Sequence, residues 1–116
     1  MRAAVITRPG GPEVLEVRHV DQPQAGPDDV LVRVRAAGLN RADILQRRGG
    51  YAPPPGAPAA IPGLEYAGEV VEIGDRVEGL APGDRVFGIT GGGAHAELIA
   101  VPAKTAAPIP SSLTWE

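Results

Sequence analysis

The chain has 116 residues, enough for one domain and too few for two ordinary ones. Eleven Lys and Arg stand against 14 Asp and Glu, a net charge of −3 with the signs interspersed, so no basic surface for nucleic acid is expected. No cysteine is present, which excludes disulfides, a thiol nucleophile and thiolate-bound metal and fits a cytoplasmic protein; no apolar run is long enough to span a membrane, and MRAAVITRPGG (1–11) is not a signal peptide.

The 16 glycines and 13 prolines fall between Val- and Ile-rich runs, which predicts short strands joined by turns and a mainly β domain. AAVIT (3–7) predicts a first strand and PGGP (9–12) a turn. VLEVRHV (14–20) alternates Leu15 and Val17 with Glu16 and Arg18, the period of a strand with one apolar face. After the loop QPQAGPDD (22–29), VLVRVRAAGL (30–39) gives the clearest strand, with Val30, Val32, Val34 and Ala36 opposite Arg33 and Arg35.

At NRADILQRRG (40–49) the period changes to that of a helix of about two turns. Asn40 is a good N-cap, Asp43 can complete a capping box, Ile44 and Leu45 supply an inner face, and Gly49 can end it. YAPPPGAPAAIPG (51–63) can be neither helix nor inner strand, and a loop of this length is often functional. EYAGEVVEIG (65–74) predicts a strand with Val71 and Ile73 on one face, and DRVEGLAPGDRVFGI (75–89) a turn at PGD and a further strand. AHAELIAVP (94–102) alternates weakly, and KTAAPIP (104–110) predicts a last extended segment. SSLTWE (111–116) reads as the opening of a helix. The expected organisation is a domain over 1–110 and, over 111–116, the start of a connection to a further domain.

Within GITGGGAHAELI (88–99), Gly91, Gly93 and Ala96 fit the dinucleotide pattern G-x-G-x-x-G/A. That pattern needs a helix after it and a βαβ unit around it. Pro102 comes too soon for the helix, and too little chain follows for the unit. The glycines are therefore expected to form a hairpin turn, Gly91 to Gly93, joining two antiparallel strands.

GLNRADILQRRGGYAPPPG (38–56), IPGLEYAGEVVEIG (61–74), PGDRVFGITGGGAHAELIAV (82–101) and PIPSSLTWE (108–116) resemble, in order and spacing, the front half of the quinone oxidoreductases of the medium-chain dehydrogenase/reductase superfamily. The likeness is greatest to the zinc-independent, NADPH-dependent branch related to zeta-crystallin, and it covers nearly the whole chain. It implies a partly open, GroES-like β-barrel with one or two short helices that lines a substrate cleft. The Rossmann domain that binds NADPH in this family is expected to be absent from these 116 residues, which match the first domain only. The implied reaction passes a hydride from NADPH to a quinone or, by the same geometry, to a conjugated enone. The domain alone is expected to be nearly inactive, and a homodimer is expected only of the full-length protein. A scaffold barrel without enzymatic activity is the alternative.

The resemblance also implies site residues. It places the amide of Asn40 in the cleft near nicotinamide and quinone oxygen, and makes the Tyr51 phenol a donor to a quinone carbonyl. Asp43 is first a capping residue and second a polar group of the cleft. Glu65 matches an acidic position beside the cleft, with a structural hydrogen bond an equal reading. Tyr66 reads as core, His95 as packed or solvated, and Arg47 and Arg48 as solvated, with contact to a cofactor phosphate as the minor alternative. Zinc-dependent relatives carry a Cys near position 40 and a His near position 64; Asn40 and Leu64 are not zinc ligands, so no metal is expected.

Overall fold

The computed structural model describes residues 1–116. Strands β1 (Arg2–Ile6) and β2 (Leu15–His19) pair as an antiparallel ribbon. Strands β3 (Asp29–Ala37), β4 (Glu65–Ile73), β5 (Arg85–Ile89), β6 (Leu98–Pro102) and β7 (Ala107–Pro108) form an antiparallel sheet in the order β6-β3-β4-β5-β7. Residues 95–97 stitch the two sheets together. Ala4 N–H donates to the His95 carbonyl at 2.9 Å, Glu97 N–H to Arg2 at 3.1 Å, and Val34 N–H to Glu97 at 3.0 Å. The mainly β expectation holds, with one α-helix and two single-turn 3-10 segments, Pro12–Val14 and Ala103–Thr105.

The core is built from β-branched side chains on paired strands, where their stiffness costs little. Val30, Val32, Val70, Val86 and Val101 are all but fully buried, and Val32 faces Val70 across the β3–β4 ladder. Two irregularities in that ladder, at Leu31/Val32 and Val34/Ala36, shift its register. Leu31 is buried too, so the first half of β3 is covered on both faces. In the second half of β4 the core residue is Val70, while Val71 and Ile73 are half-buried. Adjacent valines leave the phase of a strand undetermined by sequence, and the ladder selects the phase. The apolar face expected of β2 is not covered, for every residue of that strand is exposed and Val17 is 75% exposed. Alternation fixes which side chains share a face, and only a second layer can bury them.

Helix α1 (Arg41–Arg47) starts and stops where the sequence predicts. Asn40 is the N-cap residue, and Asp43 Oδ2 accepts the Asn40 N–H at 2.7 Å. At the other end Gly49, with φ +83°, donates to Gln46 O at 3.0 Å and Gly50 donates to Leu45 O at 2.7 Å, a Schellman closure. The inner face differs from expectation. Ile44 and Leu45 are each 39% exposed, and the buried residue is Gln46. Gln46 Nε2 donates to Ala59 O at 2.9 Å. This side of the helix meets the backbone of the 51–63 loop, which offers carbonyl groups, so a polar side chain is the one buried. Arg47 is likewise not simply solvated, since its Nε donates to Gly10 O at 3.1 Å.

The glycine-rich stretch is no hairpin. Strands β5 and β6 run antiparallel, but β4 and β3 lie between them, so residues 90–97 form a crossover. No helix follows it. The glycines instead seat the proline loop. A Cβ at Gly91 would overlap the Pro54 ring, and Gly93 N–H donates to Ile61 O at 2.9 Å. Residues 111–116 are also not helical; a turn and an extended tail lie back over β5. Arg85 Nη2 donates to Leu113 O at 2.8 Å, and its guanidinium sits 4.3 Å over the Trp115 ring.

Candidate functional site

The end of β3 and the start of β4 converge at Gly38 and Glu65. Gly38 N–H approaches the Glu65 carbonyl at 3.4 Å, and the Glu65 side chain lies over Gly38 where a Cβ would stand. His95 Nε2 lies 2.9 Å from Gly38 O and thus carries a proton toward that carbonyl. His95 is packed, and it fixes the backbone two residues before Asn40.

Asn40 itself is half-buried, and its Nδ2 is buried with no hydrogen-bond partner. Asp43 uses both carboxylate oxygens on backbone amides. Oδ2 holds Asn40 N–H at 2.7 Å, and Oδ1 holds Gly63 N–H at 3.0 Å, 20 residues further on. Gly63 has φ +106°, and a Cβ there would press on His95. Tyr51 follows the two glycines that close the helix; it is half-buried, and its hydroxyl makes no hydrogen bond within the chain. Glu65 is exposed at the first position of β4.

Beside this cluster lies an open cleft of about 830 Å³ between the β3–β4–β5 edge and the C-terminal tail. Gly38 and Glu65 form its junction with the cluster, and Phe87, Ile89, Leu113 and Trp115 make its wall largely apolar. Asn40, Asp43 and Tyr51 do not line it. The structure thus joins Asn40, Asp43 and Glu65 through Gly38 and Gly63, while no hydrogen bond ties Tyr51 to them. Tyr66 is core, as its sequence context suggests: it is 3% exposed, and burial pushes its hydroxyl up to about 12. No three His, Cys, Asp or Glu side chains gather in a metal-binding group.

Sequence reasoning missed Gly38, Gly63 and Gln46. A glycine between the apolar end of a strand and an N-cap was a usable signal for Gly38. Gln46 carried none, since glutamine on a short helix is ordinarily solvated.

The alcohol dehydrogenase GroES-like domain family matches residues 26–111. A quinone oxidoreductase of Pseudomonas aeruginosa is 43% identical over 108 residues, covering 92% of this chain and 33% of that protein. The crystal structure of the human synaptic vesicle membrane protein VAT-1 homolog-like protein superposes with a TM-score of 0.91 at 34% identity, over 99% of this chain and 36% of that one. The Escherichia coli quinone oxidoreductase complexed with NADPH superposes with a TM-score of 0.85 at 30% identity, over 99% and 35%. The chain spans about a third of the length of the curated relatives it matches.

Proposed function

Because this chain belongs to the alcohol dehydrogenase GroES-like domain family, in the quinone oxidoreductase and VAT-1 branch of the medium-chain dehydrogenase/reductase superfamily, we propose that it is the substrate-cleft domain of an NADPH-dependent, zinc-independent quinone reductase. One observation carries this reading, the buried and unpartnered Nδ2 of Asn40. A buried donor left unsatisfied costs about 1–3 kcal/mol. A carbonyl oxygen offered by a quinone or by a nicotinamide carboxamide removes that cost, and so Asn40 fits both substrate and cofactor. The relative from Escherichia coli, solved with NADPH, supports the choice of cofactor.

When bound, the nicotinamide supplies the hydride. The residues of this chain bind and orient. Asn40 donates to the acceptor oxygen. The free hydroxyl of Tyr51 donates to the quinone oxygen on which negative charge develops. Glu65, at the junction of cluster and cleft, orients the polar edge of the substrate. The apolar wall receives the flat ring. Asn40 and Leu64 are not zinc ligands, which supports a reaction without that metal.

Quinone-dependent oxidation of NADPH by the polypeptide in which this domain is joined to a cofactor domain tests the reading. Asn40→Ala is expected to lower kcat about a hundredfold or more, as loss of an oxyanion donor does. Unchanged turnover in that variant overturns the assignment. Turnover of conjugated enones in place of quinones redirects the substrate class and leaves the hydride chemistry standing.

A further inference from the structure

We propose that Asp43 is a positioning residue, one that fixes the Asn40 amide in place by tying it to the proline-rich loop and does not itself touch the substrate. The inference rests on the reading of Asn40 given above. Each carboxylate oxygen of Asp43 already holds a backbone amide, Asn40 at 2.7 Å and Gly63 at 3.0 Å. Bonds to an ionised acceptor are roughly twice as strong as neutral ones. Both oxygens are engaged on the backbone and Asp43 does not line the cleft, so its part is to hold Asn40 and not to meet the substrate.

The tie matters because of what each end holds. Gly63 is locked to the crossover: Ala94 N–H donates to Gly63 O at 3.1 Å, and His95 N–H to Pro62 O at 3.0 Å. His95 in turn holds Gly38 O. The backbone around Asn40 is therefore gripped on both sides, by His95 at Gly38 and by Asp43 at Asn40 itself. Between the two grips Leu39 is 88% exposed and contributes no packing that could do the same work. Without Asp43 the Asn40 amide would be set only by the neighbouring backbone. A displacement of about 1 Å at a reacting centre can cost on the order of a hundredfold in rate.

Asparagine is the informative substitution. Asp43→Asn keeps the shape, retains one acceptor oxygen and turns an NH₂ toward the other backbone N–H, so one of the two ties is lost. The first measurement needs no substrate: the side-chain amide signals of Asn40 and the backbone amides of Asn40 and Gly63, by ¹⁵N NMR on this chain. Asp43→Asn is expected to shift the Asn40 side-chain signals and to speed hydrogen exchange at the released amide. Unmoved Asn40 side-chain signals overturn the proposal, whatever the enzyme turns over.

The second is a double-mutant cycle on quinone turnover in the cofactor-joined polypeptide. Asp43→Asn alone is expected to lower kcat at least tenfold. On an Asn40→Ala background it is expected to cost no more than about twofold, because its effect passes through Asn40. Losses that multiply instead show a direct substrate contact or a general weakening of the fold, and overturn it. Absence of quinone turnover in the unmodified protein counts against the functional reading only, and the NMR result then decides the positioning role alone.

Discussion

Tyr66 and Asn40 present the same physical oddity, a buried polar group without a partner, and the two sit in different surroundings. Tyr66 belongs to the valine cluster and also borders the cleft, with its hydroxyl beside Gly88, so removing that hydroxyl deletes an unmet group. Tyr66→Phe is expected to raise stability at neutral pH by about 1 kcal/mol, read from urea unfolding curves. The same burial sets the alkaline limb. An unfolded tyrosine ionises near ~10, whereas Tyr66 in the folded chain is held protonated up to about 12. The unfolded state loses its proton first, so stability falls as pH rises from about 10 to about 12, by roughly 2–3 kcal/mol. Tyr66→Phe is expected to flatten that fall; parallel curves for the two proteins would refute the assignment. Asn40 lies at the start of α1, in the cluster beside the cleft, and its unmet donor is the one proposed to meet a ligand. Tyr51→Phe in the cofactor-joined polypeptide removes the second proposed donor, with a kcat loss of about a hundredfold expected and unchanged turnover excluding its role.

Between elements, single side chains join parts of the fold that the ladder leaves apart. Glu97, just before β6, receives the Arg2 backbone N–H at 2.8 Å and the Arg2 Nε at 2.9 Å, so it clips β1 onto the larger sheet. The backbone hydrogen bond from Arg2 is the main cause that holds the Glu97 carboxyl below its usual range. Its contribution to stability is present above the ordinary carboxylate pKa and is lost as pH falls through the lowered value. Glu97→Gln should therefore make the acid limb of stability shallower, and an acid titration of both proteins by circular dichroism tests this. The proline loop shows the opposite economy. Its later half is fastened, with Ala60 and Ile61 accepting from Ile6 and Gly93, while residues 51–58 make no backbone hydrogen bond outside the loop. That first half rests on Gly91 by contact alone. Gly91→Ala is expected to lift it, with faster proteolysis within 51–58 and a melting temperature of the sheet lowered by only a few degrees. Undiminished protection of the loop would show that the contact at Pro54 is not what seats it.

For the whole molecule, the Cα radius of gyration of 14.0 Å is close to the ~13.4 Å of a compact chain of this length. Yet large apolar side chains stay uncovered around the cleft, Ile89 at 77% and Leu113 at 58% exposure. An apolar wall open to water binds a flat aromatic ring weakly and does not exclude solvent from it. The chain by itself is expected to oxidise no NADPH with a quinone, while the cofactor-joined polypeptide does. Spectrophotometry on both decides it, and turnover by the 116-residue chain alone would mean that the site is complete as it stands.

What the sequence determined by itself is local. Strand periodicity located β3 and β4, the turn at PGD located β5, the Asn40–Asp43 spacing located the start of α1, and Pro102 ruled out a helix after the glycines. These rest on interactions within a few residues, where spacing translates directly into geometry. Tertiary structure decided the rest. It set the order β6-β3-β4-β5-β7, turned the expected hairpin into a crossover, chose Val70 over Val71, and buried Gln46 in place of Ile44 and Leu45. It also gave Asp43 its second partner at Gly63 and His95 its carbonyl at Gly38, 57 residues away. Such pairings depend on which backbone groups are left unmet once the sheets have closed, and no spacing along the chain encodes that.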